Sequence, residues 1–133
     1  MAELYRYISP EWAAEAYKRL RQELTAEKMK YMTVSMVTQY KNCPDGKERA
    51  LYYKFVKGVV QALSIVEGEL PPADFVISGD YEVFSRVARG ELSSRAATTS
   101  GKLRMRGSMV KAVSFAAVAE RMNKVLTSIP TKY

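Results

Sequence analysis

Ser100-Gly101-Lys102 is the first place in this sequence where residue types and spacing suggest chemistry, because a Gly-Lys pair closes the loop that cradles phosphates before a helix. The first Gly of that loop would fall at position 96, which is Ala96, and Leu103 stands where a Ser or Thr would hold magnesium. No nucleotide site is read here. Asp74 and Asp80 are two carboxylates flanking a short apolar run, but starting a strand and capping the next helix accounts for both without acid/base work. Cys43 is the single cysteine, so no internal disulfide and no Cys-rich zinc site can form, and it reads as a turn residue in a reducing compartment. The chain has no histidine at all, which removes the commonest general base, the partner of the usual Ser and Cys nucleophiles, and the commonest metal ligand. No catalytic residue, metal or cofactor is expected, and the chain reads as a binding protein rather than an enzyme.

What remains is charge and apolar surface. Lys and Arg number 21 against 14 Asp and Glu, a net charge of +7. Between Ser100 and Tyr133 the cations Lys102, Arg104, Arg106, Lys111, Arg121, Lys124 and Lys132 face one acid, Glu120, so this basic third holds most of the excess. A one-ended basic surface suits an anionic partner, either nucleic acid or a phospholipid surface, or it is simply a solvated face. Lys102, Arg104 and Arg106 lack the interleaved aromatics that single-strand binders stack on bases, and Tyr52 and Tyr53 could serve only from a neighbouring strand. Nucleic acid is therefore not expected as a partner. The seven methionines, with Met105, Met109 and Met122 in or beside the last apolar element, are flexible fillers of irregular apolar space, whether core or ligand cavity.

A length of 133 residues with 47% apolar and 26% charged types predicts one domain over residues 1–133 with a sizeable core. Met1-Ala2-Glu3-Leu4-Tyr5-Arg6-Tyr7 is neither a signal nor a transit sequence, and no apolar run reaches the roughly 18–20 residues of a membrane span, so the expected location is cytoplasmic.

The elements that must position these residues are legible by period. Ser9, Pro10 and Glu11 start a helix whose Ala13, Ala16, Tyr17, Leu20 and Leu24 form one stripe. Met32, Val34, Met36, Thr38 and Tyr40 then alternate with Thr33, Ser35, Val37, Gln39 and Lys41 as a strand. Asn42-Cys43-Pro44-Asp45-Gly46 turns into a second strand with Leu51, Tyr53 and Phe55 on one face, and Lys57-Gly58 into a third from Val59 to Val66, an antiparallel meander. Pro71-Pro72 breaks the pattern, and Phe75-Val76-Ile77 resumes as a short strand after a change of layer. Asp80 is expected to cap a helix through Ala88 that Gly90 closes, and Ser93 to Ser100 holds one helical turn. Lys102 to Arg106 alternates as a fifth strand, with its cations on one side and Leu103 and Met105 on the other. The last helix, roughly Met109 to Ser128, is apolar almost all round from Ala112 to Ala119, so that half must be covered on more than one side or line a cavity. From Glu120 onward Met122, Val125, Leu126 and Ile129 point inward and Arg121 and Lys124 outward, until Pro130 ends it.

Three segments carry a resemblance: Ala73-Asp74-Phe75-Val76-Ile77-Ser78-Gly79-Asp80, Val87-Ala88-Arg89-Gly90-Glu91-Leu92, and Ser100-Gly101-Lys102-Leu103-Arg104-Met105-Arg106-Gly107-Ser108-Met109. In order and spacing they resemble the sterol carrier protein 2 family of lipid carriers. In that family a helix ends in a Gly-x-Leu turn, and a Gly-Lys-Leu-x-x-x-Gly strand leads into a C-terminal helix over an apolar cavity. The resemblance implies an α+β fold, a five-stranded mainly antiparallel sheet with helices packed on one face. It implies non-catalytic binding, and transfer, of a hydrophobic ligand (fatty acyl, acyl-thioester or sterol-like) in a tunnel between sheet and last helix. Phe84, Val87, Leu103, Met105, Met109, Val113, Phe115, Val118 and Met122 are the ligand-binding candidates. Lys102, Arg104, Arg106 and Lys111 are the candidates for contact with a head group or an anionic membrane surface. The end Pro130-Thr131-Lys132-Tyr133 lacks a peroxisomal address, which points to a stand-alone prokaryotic-type relative, monomer or homodimer. The rival readings are a tunnel-less interaction or dimerisation module, and an accessory domain presenting a lipid-like substrate to an enzyme.

Overall fold

The computed structural model describes residues 4–133, so Met1, Ala2 and Glu3 of the segment read for targeting signals lie outside it. A two-residue strand, β1 (Tyr5–Arg6), leads to helix α1 (Pro10–Glu23). The Ser9 Oγ accepts the Trp12 amide at 3.1 Å and Pro10 occupies the first turn, the start that the sequence dictates. Trp12 joins Ala13, Ala16 and Leu20 on the buried stripe.

The meander follows as β2 (Val34–Lys41), β3 (Arg49–Val56) and β4 (Val59–Ile65), all antiparallel. Lys57 and Gly58, with φ of 50° and 85°, form a two-residue hairpin turn whose twist matches its strands. Cys43 is buried in the loop before β3, and burial pushes its thiol pKa up.

The chain does not change layer after Pro71-Pro72. β5 (Phe75–Asp80) stays in the same sheet, on the other side of β2, and pairs parallel to it from Met36↔Phe75 to Lys41↔Asp80. Asp74 makes that seat: its amide donates to the Ser35 carbonyl at 3.1 Å, and its carboxylate accepts the Ser35 amide at 2.9 Å. A contact between residues so distant in sequence leaves no periodic trace. Asp80 precedes α2 (Tyr81–Ala88), but its side chain makes no capping hydrogen bond, because Asn42 takes its Oδ1 at 2.7 Å.

Helix α3 (Ser94–Thr99) and strand β6 (Leu103–Gly107) come next, β6 antiparallel to β5, giving the order β4-β3-β2-β5-β6. Ser108 caps the long helix α4 (Met109–Thr127). β7 (Thr131–Lys132) then lies parallel to β1, with the Tyr5 amide 2.8 Å from the Pro130 carbonyl. The helices form one layer over the sheet: α1 meets β4 and α4, α2 meets β5 and α4, and α3 meets β6 and α4. The molecule is thus α+β, a five-stranded, mostly antiparallel sheet with helices.

Candidate functional site

Between the sheet and α4 lies an apolar cavity of about 700 Å³, inside the range of small-molecule sites. Its floor is the inward-facing row of the sheet: Met36, Thr38 and Tyr40 of β2, Tyr53 of β3, Ile77 of β5, and Leu103 and Met105 of β6. One wall is α2, through Phe84, Val87 and Ala88; the roof is α4.

Around α4, at about 100° per residue, the cavity side runs from Met122 through Phe115 and Ala112 to Met109 and Val113. Val118 turns about 60° from Phe115 toward the opposite side. It is fully buried in the core and is not part of the lining, which corrects its place among the ligand candidates. The other eight candidates, Phe84, Val87, Leu103, Met105, Met109, Val113, Phe115 and Met122, do line the cavity. The all-round apolar sequence of α4 therefore serves two buried arcs, one in the core and one over the cavity. Its N-terminal end is not fully covered: Val110, outside the cavity, is 79% exposed, and Met109 and Val113, at the cavity's open margin, are 59% and 67% exposed.

The candidate cations lie elsewhere. Alternation along β6 sends Leu103 and Met105 into the cavity side, so Arg104 and Arg106 leave on the other face, in register with Ser78 and Val76. Lys102 is exposed at the start of this strand, and the Lys111 ammonium donates to the Thr33 carbonyl at 2.7 Å. β3, which carries Tyr52, is separated from β6 by two strands, so its aromatics do not interleave with these cations.

Sequence reasoning missed both polar parts of the cavity. At the rim, α3 contributes Ser94, Arg95, Thr98 and Thr99, and the Ser94 hydroxyl donates to Glu120 of α4 at 3.1 Å. A six-residue polar helix gives no signal for this. At the inner end stand Tyr7, Thr38, Tyr40 and Tyr53, with Thr38 Oγ1 donating to the Tyr40 hydroxyl at 2.9 Å. Burial pushes the pKa of all three tyrosines well above the ordinary range, so they remain neutral. Their signal was available: Thr38 and Tyr40 share a strand face with Val34 and Met36, Tyr53 shares one with Leu51 and Phe55, and a buried hydroxyl wants a partner.

Among the described residues no cluster of three His, Cys, Asp or Glu could hold a metal, and no helix is long and apolar enough to cross a membrane.

Comparison with known proteins gives a consistent outcome. The model of the SCP-2 sterol transfer family matches residues 14–120. No curated protein matches the chain by sequence. A crystal structure of sterol carrier protein 2 superposes with a TM-score of 0.81 at 23% identity, over 93% of this chain and 99% of that one. The solution structure of a conserved hypothetical protein from Thermus thermophilus, a candidate sterol carrier protein, gives 0.82 at 22% identity over 98% and 94%. Palmitated SCP2L2 from Aedes aegypti gives 0.57 at 14% identity over 94% and 100%.

Proposed function

The chain belongs to the SCP-2 sterol transfer family, and from that premise we propose that it carries a hydrophobic ligand in the cavity under α4 and performs no chemistry on it. Membership speaks for lipid binding or transfer. The observation that carries the finer reading is the apolar cavity of about 700 Å³, large enough for a fatty acyl, acyl-thioester or sterol-like body. Each methylene moved from water into such a space gains about 0.8 kcal/mol. Phe84, Val87, Leu103, Met105, Met109, Val113, Phe115 and Met122 are the residues assigned to contact it.

Loading and release are assigned to the rim. Met109, Val110 and Val113 present an exposed apolar patch beside the cavity mouth, and Arg106 and Lys111 are near neighbours of it in sequence. Together with Lys102 and Arg104 they would draw a cytoplasmic carrier toward an anionic bilayer at long range, and the apolar patch would seat the mouth on it. Arg104 and Arg106, on the far face of the sheet, serve the membrane in this reading and not a head group inside the cavity.

Native mass spectrometry of the protein as purified from cells, followed by denaturation and organic extraction, tests the proposal. A lipid of defined mass released on denaturation is the expected result. A protein that is empty as purified and stays empty with added fatty acids and acyl-thioesters overturns it, and a clean dimer mass would then favour an interaction module.

A further inference from the structure

The inner end of the cavity has a chemistry that a plain hydrocarbon tail does not use. Thr38, Tyr40 and Tyr53 project from the central strands β2 and β3, and Tyr7 reaches them from the segment after β1. All four are at most 7% exposed, whereas the rim residues Met109 and Val113 are more than half exposed, so the hydroxyls mark the deep end. Thr38 donates to Tyr40 at 2.9 Å, the Tyr7 and Tyr40 rings meet edge-on with centroids 6.0 Å apart, and Tyr53 stands diagonal to Thr38 in the β2–β3 ladder. The charged residues that line the cavity are Arg95 and Glu120, both exposed and both at the rim.

We propose that these hydroxyls select a ligand bearing an uncharged oxygen, an alcohol or a ketone, at the end that enters first; this rests on the carrier reading above. A carboxylate there would be desolvated with no cation among the described lining residues to meet it, which is far costlier than leaving it at the rim near Arg95. A methyl end would face hydroxyls with which it can make no hydrogen bond. A neutral oxygen both donates or accepts and keeps the site uncharged. The raised tyrosine pKa values fit this role, since the cluster stays protonated across the physiological range.

Trp12 is the single tryptophan and lines the cavity, so its fluorescence reports occupancy directly. The test titrates the full chain with dodecan-1-ol, dodecan-2-one, dodecanoate and tridecane, which share a chain of similar size. Normalised to each ligand's transfer from water to alkane, the alcohol and ketone should bind about tenfold tighter than tridecane, the scale of one hydrogen bond. Thr38→Val and Tyr53→Phe, checked for folding by circular dichroism melts, should each cut that advantage to about threefold or less. Because both residues also line the floor, each variant is read by the ratio of oxygenated-ligand to tridecane affinity, which cancels any change in the apolar wall. Equal affinity of the native chain for tridecane and the oxygenated ligands after that normalisation overturns the proposal, whether or not a variant folds. So does an advantage that survives in both variants, or an equal loss for dodecanoate. Failure of all four ligands to bind removes the carrier reading and this one with it.

Discussion

Met105 stands half-buried on the cavity floor, opposite Ile77 in the ladder, with room above it that the core does not fill. Met105→Trp should therefore push an indole into the cavity instead of overpacking the core, which normally costs about 1–3 kcal/mol. The expected result is at least tenfold weaker lipid uptake with a melting point within a few degrees of the parent. Unchanged uptake would exclude Met105 from the binding wall. The tyrosines make a second prediction, for pH. Their folded pKa values lie above the unfolded value of about 10. Their full contribution is present below that pH and is lost as pH rises through the folded values, because the unfolded chain ionises first. Urea unfolding at graded pH should show no slope from these groups near neutrality and a falling stability above about pH 10, with a shallower fall in Tyr53→Phe. Single residues were legible where alternation fixes a face, as for Leu103 and Met105. Val118 was not, because an apolar helix residue can belong to a core arc or a cavity arc, and only the packing of neighbouring elements decides which.

At the scale of elements, the junction between β6 and α4 sets the roof. Gly107 adopts φ of 112°, and a Cβ there would sit 2.7 Å from the Asp74 carbonyl and 2.8 Å from the Phe75 Cα. Both neighbours are backbone at the start of β5, Asp74 being held by its hydrogen bonds to Ser35, so neither can move alone. Gly107→Ala should lower stability by about 2–4 kcal/mol, from backbone strain and the clash together, as read from urea midpoints. Ser108→Ala, which removes only the cap of α4, should cost about 1 kcal/mol. The contrast distinguishes a geometric joint from a frayed end. Elements with local instructions were readable: the Ser9-Pro10 start of α1, the Lys57-Gly58 turn, and the alternation of β2 and β3. The parallel seat of β5 was not, since it depends on Asp74 meeting Ser35 across an intervening hairpin. Nor was the pairing of β1 with β7, because two residues hold no period.

For the molecule as a whole, charge is the quantity that acts at a distance. If Lys102, Arg104 and Arg106 guide the carrier to membranes, replacing all three with Glu should abolish co-sedimentation with vesicles containing phosphatidylserine. It should also flatten the salt dependence, while the melting point barely moves. Binding that survives the triple change would locate the attraction elsewhere. The small β1–β7 pairing has a consequence of another kind. It brings Arg6 and Lys132 side by side in register, both exposed, and so closes nearly the whole chain into one ring. Adjacent strands lie within reach of a disulfide bridge. Arg6→Cys with Lys132→Cys, once oxidised, would forbid the unfolded chain most of its extended shapes. For a loop of this order the lost disorder corresponds to about 4–5 kcal/mol. Oxidation should thus raise the unfolding midpoint, and reduction should return it to the parent value.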